Sequence, residues 1–328
     1  MITIEWGGQY GRNQSSMCLT ARTPMATSFC VKKGVLGDIP EIEISSDEFS
    51  SLERAKAVLT SAFAIEEKYE ILVSNLFELE MELLKSAAYN MLRFSSSYSD
   101  FFDTRSILNT RVVNLLTSAR LYVDQLPQDV AECRPENNET QQQMKQLFSH
   151  EYDNCFEYRF MEALRNHVQH SGIPIHLIRH PMRWTSTEAE GLMEFSVDCF
   201  CGKEYLEANR KFKKSVLDQM PTRVNLKVAC RRYIESLSAI HCATRQLIAE
   251  AVSSARAAVE QMNKRYGEIN SGDTIGLAAY ANSDDGKRIG YVPLLLDWDD
   301  VRVELERRNK QLINLAKRYV TGAATKDK

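Results

Sequence analysis

Glycine and proline are the residues that interrupt helices, and this chain holds only 14 and 8 of them among 328 residues. That is about half of the ~12% expected for an average globular protein. So few turn formers favour long helices joined by few loops. Hydrophobic residues at 44% supply a core and charged residues at 26% cover it, which excludes wholesale disorder. The length accommodates one large domain or two of about 150 residues each.

Residues 1–45 are the least helical part, with Trp6, Gly7, Gly8 and Gly11 followed by Ser28-Phe29-Cys30-Val31 and the alternating Ile39-Pro40-Glu41-Ile42-Glu43-Ile44. This predicts an extended or β arm. Ser46-Asp47-Glu48 then offers an N-cap with acids in the first turn. Helical text runs on to about Phe94, as one helix or two, with Leu72, Leu76, Leu79, Leu83 and Leu84 at three- and four-residue spacing. Ser95 to Ser99 is a break. A helix is expected over 100–126, stopped by Pro127, and another from Pro135 to Ser171-Gly172, where Gly172 and Pro174 end it. Residues 173–201 alternate in places and predict a small β insertion. Helix returns over 202–217 and 223–266, a loop-rich stretch fills 267–290, and a last helix spans 297–320. The expected architecture is mainly α with small β decorations: an N-terminal arm over 1–45, a helical core over 46–172, a β-rich insertion over 173–201 and C-terminal helices over 202–328.

The start of the chain lacks the basic and then apolar pattern of a secretory signal, and no run approaches the ~20 apolar residues that span a bilayer. A cytoplasmic protein with no membrane partner is expected. The eight cysteines are scattered, as reduced and mostly buried residues are. Only Cys199-Phe200-Cys201 is close-spaced, and one intervening residue with no second pair is not a zinc pattern. No metal and no cofactor are expected.

The formal net charge of -3 hides a division. Residues 38–82 carry 12 acids against 3 bases, and residues 203–232, which include Lys211 and Lys214, carry 9 bases against 3 acids. A run of the second kind is either a solvated face or a phosphate-facing surface. Five of the six histidines (150, 167, 170, 176, 180) lie close together in sequence, with Arg159, Arg165 and Arg179 among them. At 100° per residue, Arg159, Glu162, Asn166, Gln169 and His170 share one face of a helix. Phe160, Met161, Leu164 and Val168 take the opposite face, with Arg165 and His167 on the flanks. Such a helix packs through one side and presents Arg, Glu, Asn, Gln and His on the other. On the 100–126 helix, Arg111, Asn114, Ser118 and Tyr122 recur at helical spacing, as an opposing wall or as a polar seam of the bundle.

Arg165-Asn166-His167-Val168-Gln169-His170 at the end of such a helix resembles the motif of the HEPN superfamily (higher eukaryotes and prokaryotes nucleotide-binding). Its ribonuclease members carry Arg, a polar residue, three further residues and His in an α-bundle. With 24 Arg and 6 His in the chain, about 0.05 matches of this kind arise by chance, and this is the one present. The resemblance covers about 100–172. It implies a HEPN-like bundle, a homodimer and a composite, metal-independent site for RNA cleavage, with Arg165, Asn166 and His170 as catalytic residues. Toxin or anti-phage roles and an antitoxin or other regulatory protein as partner come from the family alone.

The residue types suit that chemistry. RNA brings its own nucleophile, the ribose 2′-OH, so cleavage needs proton transfer and positive charge on the phosphorane. Histidine transfers protons near neutral pH, and arginine presents planar, permanently charged donors to phosphate. Arg159, His167, Arg111, Lys211 and Lys214 are the expected substrate-binding residues. Two other readings follow from the same residues: a helical scaffold or RNA-binding module without activity, and a metallohydrolase built on His167, His170, His176 and His180.

Overall fold

In a computed structural model of the chain, the described residues are 26–35, 39–93, 97–135, 139–187 and 191–322. The chain starts with β1 (Ala26–Lys33) and β2 (Ile42–Glu43), followed by α1 (Ser46–Leu92), α2 (Tyr98–Cys133), α3 (Thr140–Asn154) and α4 (Phe156–His170). A β-rich stretch holds β3 (Leu177–Arg179), β4 (Met182–Trp184), β5 (Met193–Phe195) and β6 (Asp198–Gly202). Two short helices, α5 (Lys203–Glu207) and α6 (Lys214–Leu217), lead to β7 (Arg223–Asn225) and α7 (Leu226–Ile269). The hairpin β8 (Leu277–Ser283) and β9 (Arg288–Pro293) precedes α8 (Asp297–Arg308). The fold is mainly α with small antiparallel sheets, and among the described residues no helix is long and apolar enough to cross a membrane.

The 47-residue α1 is one helix and the backbone of the core. Its N-cap is Ser45, one residue before the expected one: Ser45 Oγ accepts from the Glu48 N–H (3.1 Å) and Glu48 Oε2 from the Ser45 N–H (2.8 Å), a reciprocal capping box. Phe49, Leu52, Leu59, Ile65, Leu72, Leu79 and Leu83 form its buried stripe against α2 and α7. Pro127, expected to end the second helix, lies inside α2 instead. It removes one N–H from the helix ladder, but Tyr122, Leu126, Val130 and Cys133 stay buried on both sides of it, and that packing carries the helix through.

The single helix expected over 135–172 is two. Cys155 is extended (φ -121°, ψ 113°) and serves as the last residue of one turn and the entry to the next. The Arg159 guanidinium reaches back to the Tyr152 (2.5 Å) and Asp153 (2.9 Å) carbonyls, so the freed acceptors at the end of α3 are satisfied. The helix expected over 202–217 is likewise broken, into α5, a loop over 208–213 and α6.

Residues 267–290, expected to be loop, supply β8 and part of β9. These join β1 and β2 in a four-stranded antiparallel sheet of order β2-β1-β8-β9. Gly286, at φ +74°, makes the hairpin turn that Asp284-Asp285-Gly286 encodes. The expected insertion holds the β4–β5 ribbon, β3 and most of β6, and its three-stranded sheet, β3-β6-β7, is completed by β7 from the stretch expected to open the long C-terminal helix. The last helix ends at Arg308 rather than 320. Beyond it the chain is drawn across α1 and α7: Arg245 donates to the Asn309 carbonyl (2.7 Å), Asn309 donates to Glu70 (2.7 Å), Ser238 accepts from the Leu312 N–H (2.8 Å), and Arg231 donates to the Arg318 carbonyl (2.7 Å).

Candidate functional site

The amphipathicity of α4 decides which residues face outward. Phe160, Met161 and Leu164 are fully buried and Val168 half-buried, as the periodicity requires, while Asn166, Gln169 and His170 are exposed. Glu162 is held from α7 by the Tyr233 hydroxyl, which donates to its carboxylate. The exposed face of α4 forms one wall of a cavity of about 260 Å³. Tyr152 at the end of α3 and the loop carrying Lys211 and Lys213 form the other side. Lys213 donates to the Tyr152 hydroxyl and lies 4.5 Å from the centre of its ring.

His167 fixes that loop. Asn209 Oδ1 accepts the Lys211 N–H (3.0 Å), which turns the amide Nδ2 toward His167 Nδ1 (3.0 Å). Nδ1 is therefore the acceptor, and the imidazole proton sits on Nε2. Burial lowers the His167 pKa and keeps the ring neutral. Gly172 passes so close that a Cβ there would stand 2.9 Å from His167 Nε2, and Phe212 meets the ring edge-on. His167 is thus a positioning residue that ties α4 to the Lys211 loop.

Of the residues expected at the site, Arg159, Asn166, His167, His170 and Lys211 line this one cavity. Arg159 is committed there to the α3 carbonyls and to Gln219 (2.8 Å). Arg165 is not part of the lining: it lies on the flank of α4, donates to Gln169 (3.0 Å), and its buried Nε has no hydrogen-bond partner among the described residues. Lys214 stands at the exposed start of α6, just outside the lining. Arg111 is drawn away from the site by Glu78 (3.3 Å) and Glu82 (4.0 Å) of α1. Ser118 and Tyr122 are buried in the bundle, while Asn114 of the same stripe is exposed and lies outside the lining.

The remaining histidines separate. His176 Nδ1 accepts the Gly202 N–H (3.1 Å), and its ring stacks on Tyr205 (4.1 Å between centroids). Burial, helped by His167, lowers its pKa to about 4. His180 meets Asn90 (2.5 Å). His167, His170, His176 and His180 do not converge, and among the described residues no group of three or more His, Cys, Asp or Glu could hold a metal ion. Cys199 and Cys201 point into the core, and burial pushes both thiols up to about 12. Cys18 lies outside the described residues.

Sequence reasoning passed over His241, the histidine outside the cluster. Fully buried, it accepts from the Tyr122 hydroxyl at Nδ1 (2.9 Å) and faces Glu66 with Nε2 (3.3 Å), while Tyr69 stacks on it at 3.7 Å. Arg245 holds Glu66 through two bonds (2.7 and 2.5 Å). Burial pushes the Glu66 carboxyl up, but Arg245 and His241 outweigh it and hold the group below the usual carboxylate range. Tyr122 on α2, Glu66 on α1 and His241 on α7 each fall on the buried side of their helix, and the packing of the three helices brings them together.

Comparison with known protein families, curated proteins and solved structures finds no match for this chain.

Proposed function

We propose that the protein is a metal-independent endoribonuclease of HEPN type, with the α4 cavity as its RNA-phosphate site. The observation that carries this reading is His170. It is exposed, no hydrogen bond or ion pair among the described residues holds it, and it shares a cavity with Asn166, one turn away, and with Lys211 and Lys213. An unengaged imidazole beside two ammonium groups suits proton transfer at a bound phosphodiester. The lysines supply charge to the phosphate oxygens, and Asn166 is placed to orient the imidazole. Arg165 stands outside this cavity, so in this reading a second copy of the chain brings its own Arg165 and His170 to the scissile phosphate. That gives a pair of histidines for the acid and the base.

Incubation of the purified chain with single-stranded RNA in EDTA tests the reading. The expected outcome is cleavage that leaves 2′,3′-cyclic phosphate ends and is abolished by His170→Ala and by Arg165→Ala. Undiminished cleavage by both variants, or no cleavage of any RNA by concentrated dimer, overturns it. One observation favours the second reading, a helical RNA-binding module without activity. Arg159, the arginine that does line the cavity, is engaged by main-chain carbonyls and is not free to meet a phosphate.

A further inference from the structure

The β3-β6-β7 sheet carries a cluster that the α4 cavity does not use. Side chains alternate across a strand. On β6, Cys199 and Cys201 turn into the core, so Asp198, Phe200 and Gly202 take the other face. Ile178 of β3 and Val224 of β7 also turn inward, which places Leu177, Arg179, Arg223 and Asn225 on that same outer face. In the ladder Phe200 lies opposite Leu177 on one side and Asn225 on the other. Arg179 and Arg223 are then its diagonal neighbours.

Both guanidinium groups lie over the Phe200 ring, 5.8 Å and 5.2 Å from its centre. Among the described residues neither has a carboxylate within ion-pair distance. Asp198, across the ladder from Arg179, instead accepts from Asn225 (3.2 Å). A second flat group stands where β6 ends. A Cβ on Gly202 would meet the Tyr205 ring at 2.9 Å, so the bare glycine lets that ring lie on the sheet, stacked with His176 and about half exposed. α5 and a short loop join this end of the sheet to Lys211 and Lys213.

We propose that this sheet face binds single-stranded nucleic acid. Bases stack on the Phe200–arginine cluster and on Tyr205, and backbone phosphates meet Arg179 and Arg223. Charge complementarity calls for a polyanion, and the flat groups choose among polyanions. An acidic peptide uses the guanidiniums but has no base to lay on the rings. The face is distinct from the α4 cavity, and binding here stands whether or not that cavity cleaves.

The test is fluorescence anisotropy of a short labelled single-stranded RNA on the full chain carrying His170→Ala, so that the probe stays intact. Arg179→Gln combined with Arg223→Gln is expected to weaken binding roughly ten-fold or more at low salt. It should also reduce the slope of log K against log salt by about 1.4, the loss of two phosphate contacts on a single strand. Phe200→Leu should weaken binding on the order of ten-fold and leave that slope unchanged. No binding by the parent, or a double variant with the parent's affinity and slope, overturns the proposal. Poly-glutamate that competes as well as RNA, together with no effect of Phe200→Leu, also overturns it, by marking a surface for acidic chains. If the chain with His170 intact binds RNA through this face but cleaves none, only the nuclease reading is overturned.

Discussion

Around His241 a tyrosine, a glutamate and an arginine close a chain of hydrogen bonds, while in the α4 cavity the same residue types surround His170 and leave it open. Tyr122, His241, Glu66 and Arg245 bind one another in the interior, and Arg245 passes the chain on to the Asn309 carbonyl. At α4, Tyr233 occupies Glu162, α3 carbonyls occupy Arg159, and Asn209 occupies His167, but nothing among the described residues occupies His170. Residue type therefore does not separate a structural cluster from a working one. What separates them is which polar groups the fold leaves unpaired and open to solvent.

The sharpest break of this contrast is Glu66→Ala, which leaves Arg245 and His241 facing each other without their carboxylate. It is expected to lower the unfolding free energy by about 3–5 kcal/mol, the usual cost of removing one partner of a buried pair, as read by urea denaturation. An unchanged denaturation midpoint would place His241 among ordinary core residues.

Acid titration gives the next effect. His176 falls from 6.5 to about 4 on folding, and burial moves His167 and His241 in the same direction. Above about pH 6.5 these rings are neutral both folded and unfolded, and their stabilisation is complete. As the pH falls from there toward 4, the unfolded chain binds protons that the folded chain refuses, so stability declines. His176→Gln is expected to make that decline shallower between pH 6.5 and 4, and a slope identical to the parent's would refute the assignment. The smallest effect belongs to His170→Ala. Exposed and unbonded, it should change stability by no more than about 0.5 kcal/mol, so any loss of cleavage in that variant is not a loss of fold.

The long helices were legible because their apolar periodicity is continuous and glycine and proline are scarce. The breaks were legible only where a cap residue marks them. Gly172 ends α4 as expected, but Cys155 carries no capping side chain, and the kink there depends on Arg159 reaching back from the following helix. Pro127 misleads in the opposite sense, since a local rule gives way to the packing of Leu126 and Val130. The β8–β9 hairpin did have a local mark, Asp285-Gly286 between apolar runs. The face of α4 was legible from helical geometry alone. Of the second wall, Lys211 was legible as part of a basic run, while sequence distance hid Tyr152, Lys213 and the Asn209 turn that His167 fixes from another element. The separation of Arg165 from His170 follows from the same geometry that placed Arg165 on a flank.

The pairing of β1 with β8 sets an order of events for the chain. Lys33 and Asp273, 240 residues apart, are bonded at the end of that ladder. Closing so large a loop has to wait for the intervening helices to pack, because its entropy is repaid only by contacts made afterwards. On the ribosome β1 has only β2 beside it until Leu277–Ser283 has emerged, after α1, α2, α4 and α7 have been synthesised. The four-stranded sheet is then a late-forming clasp, and a chain interrupted before Leu277 carries an open strand edge into the cell.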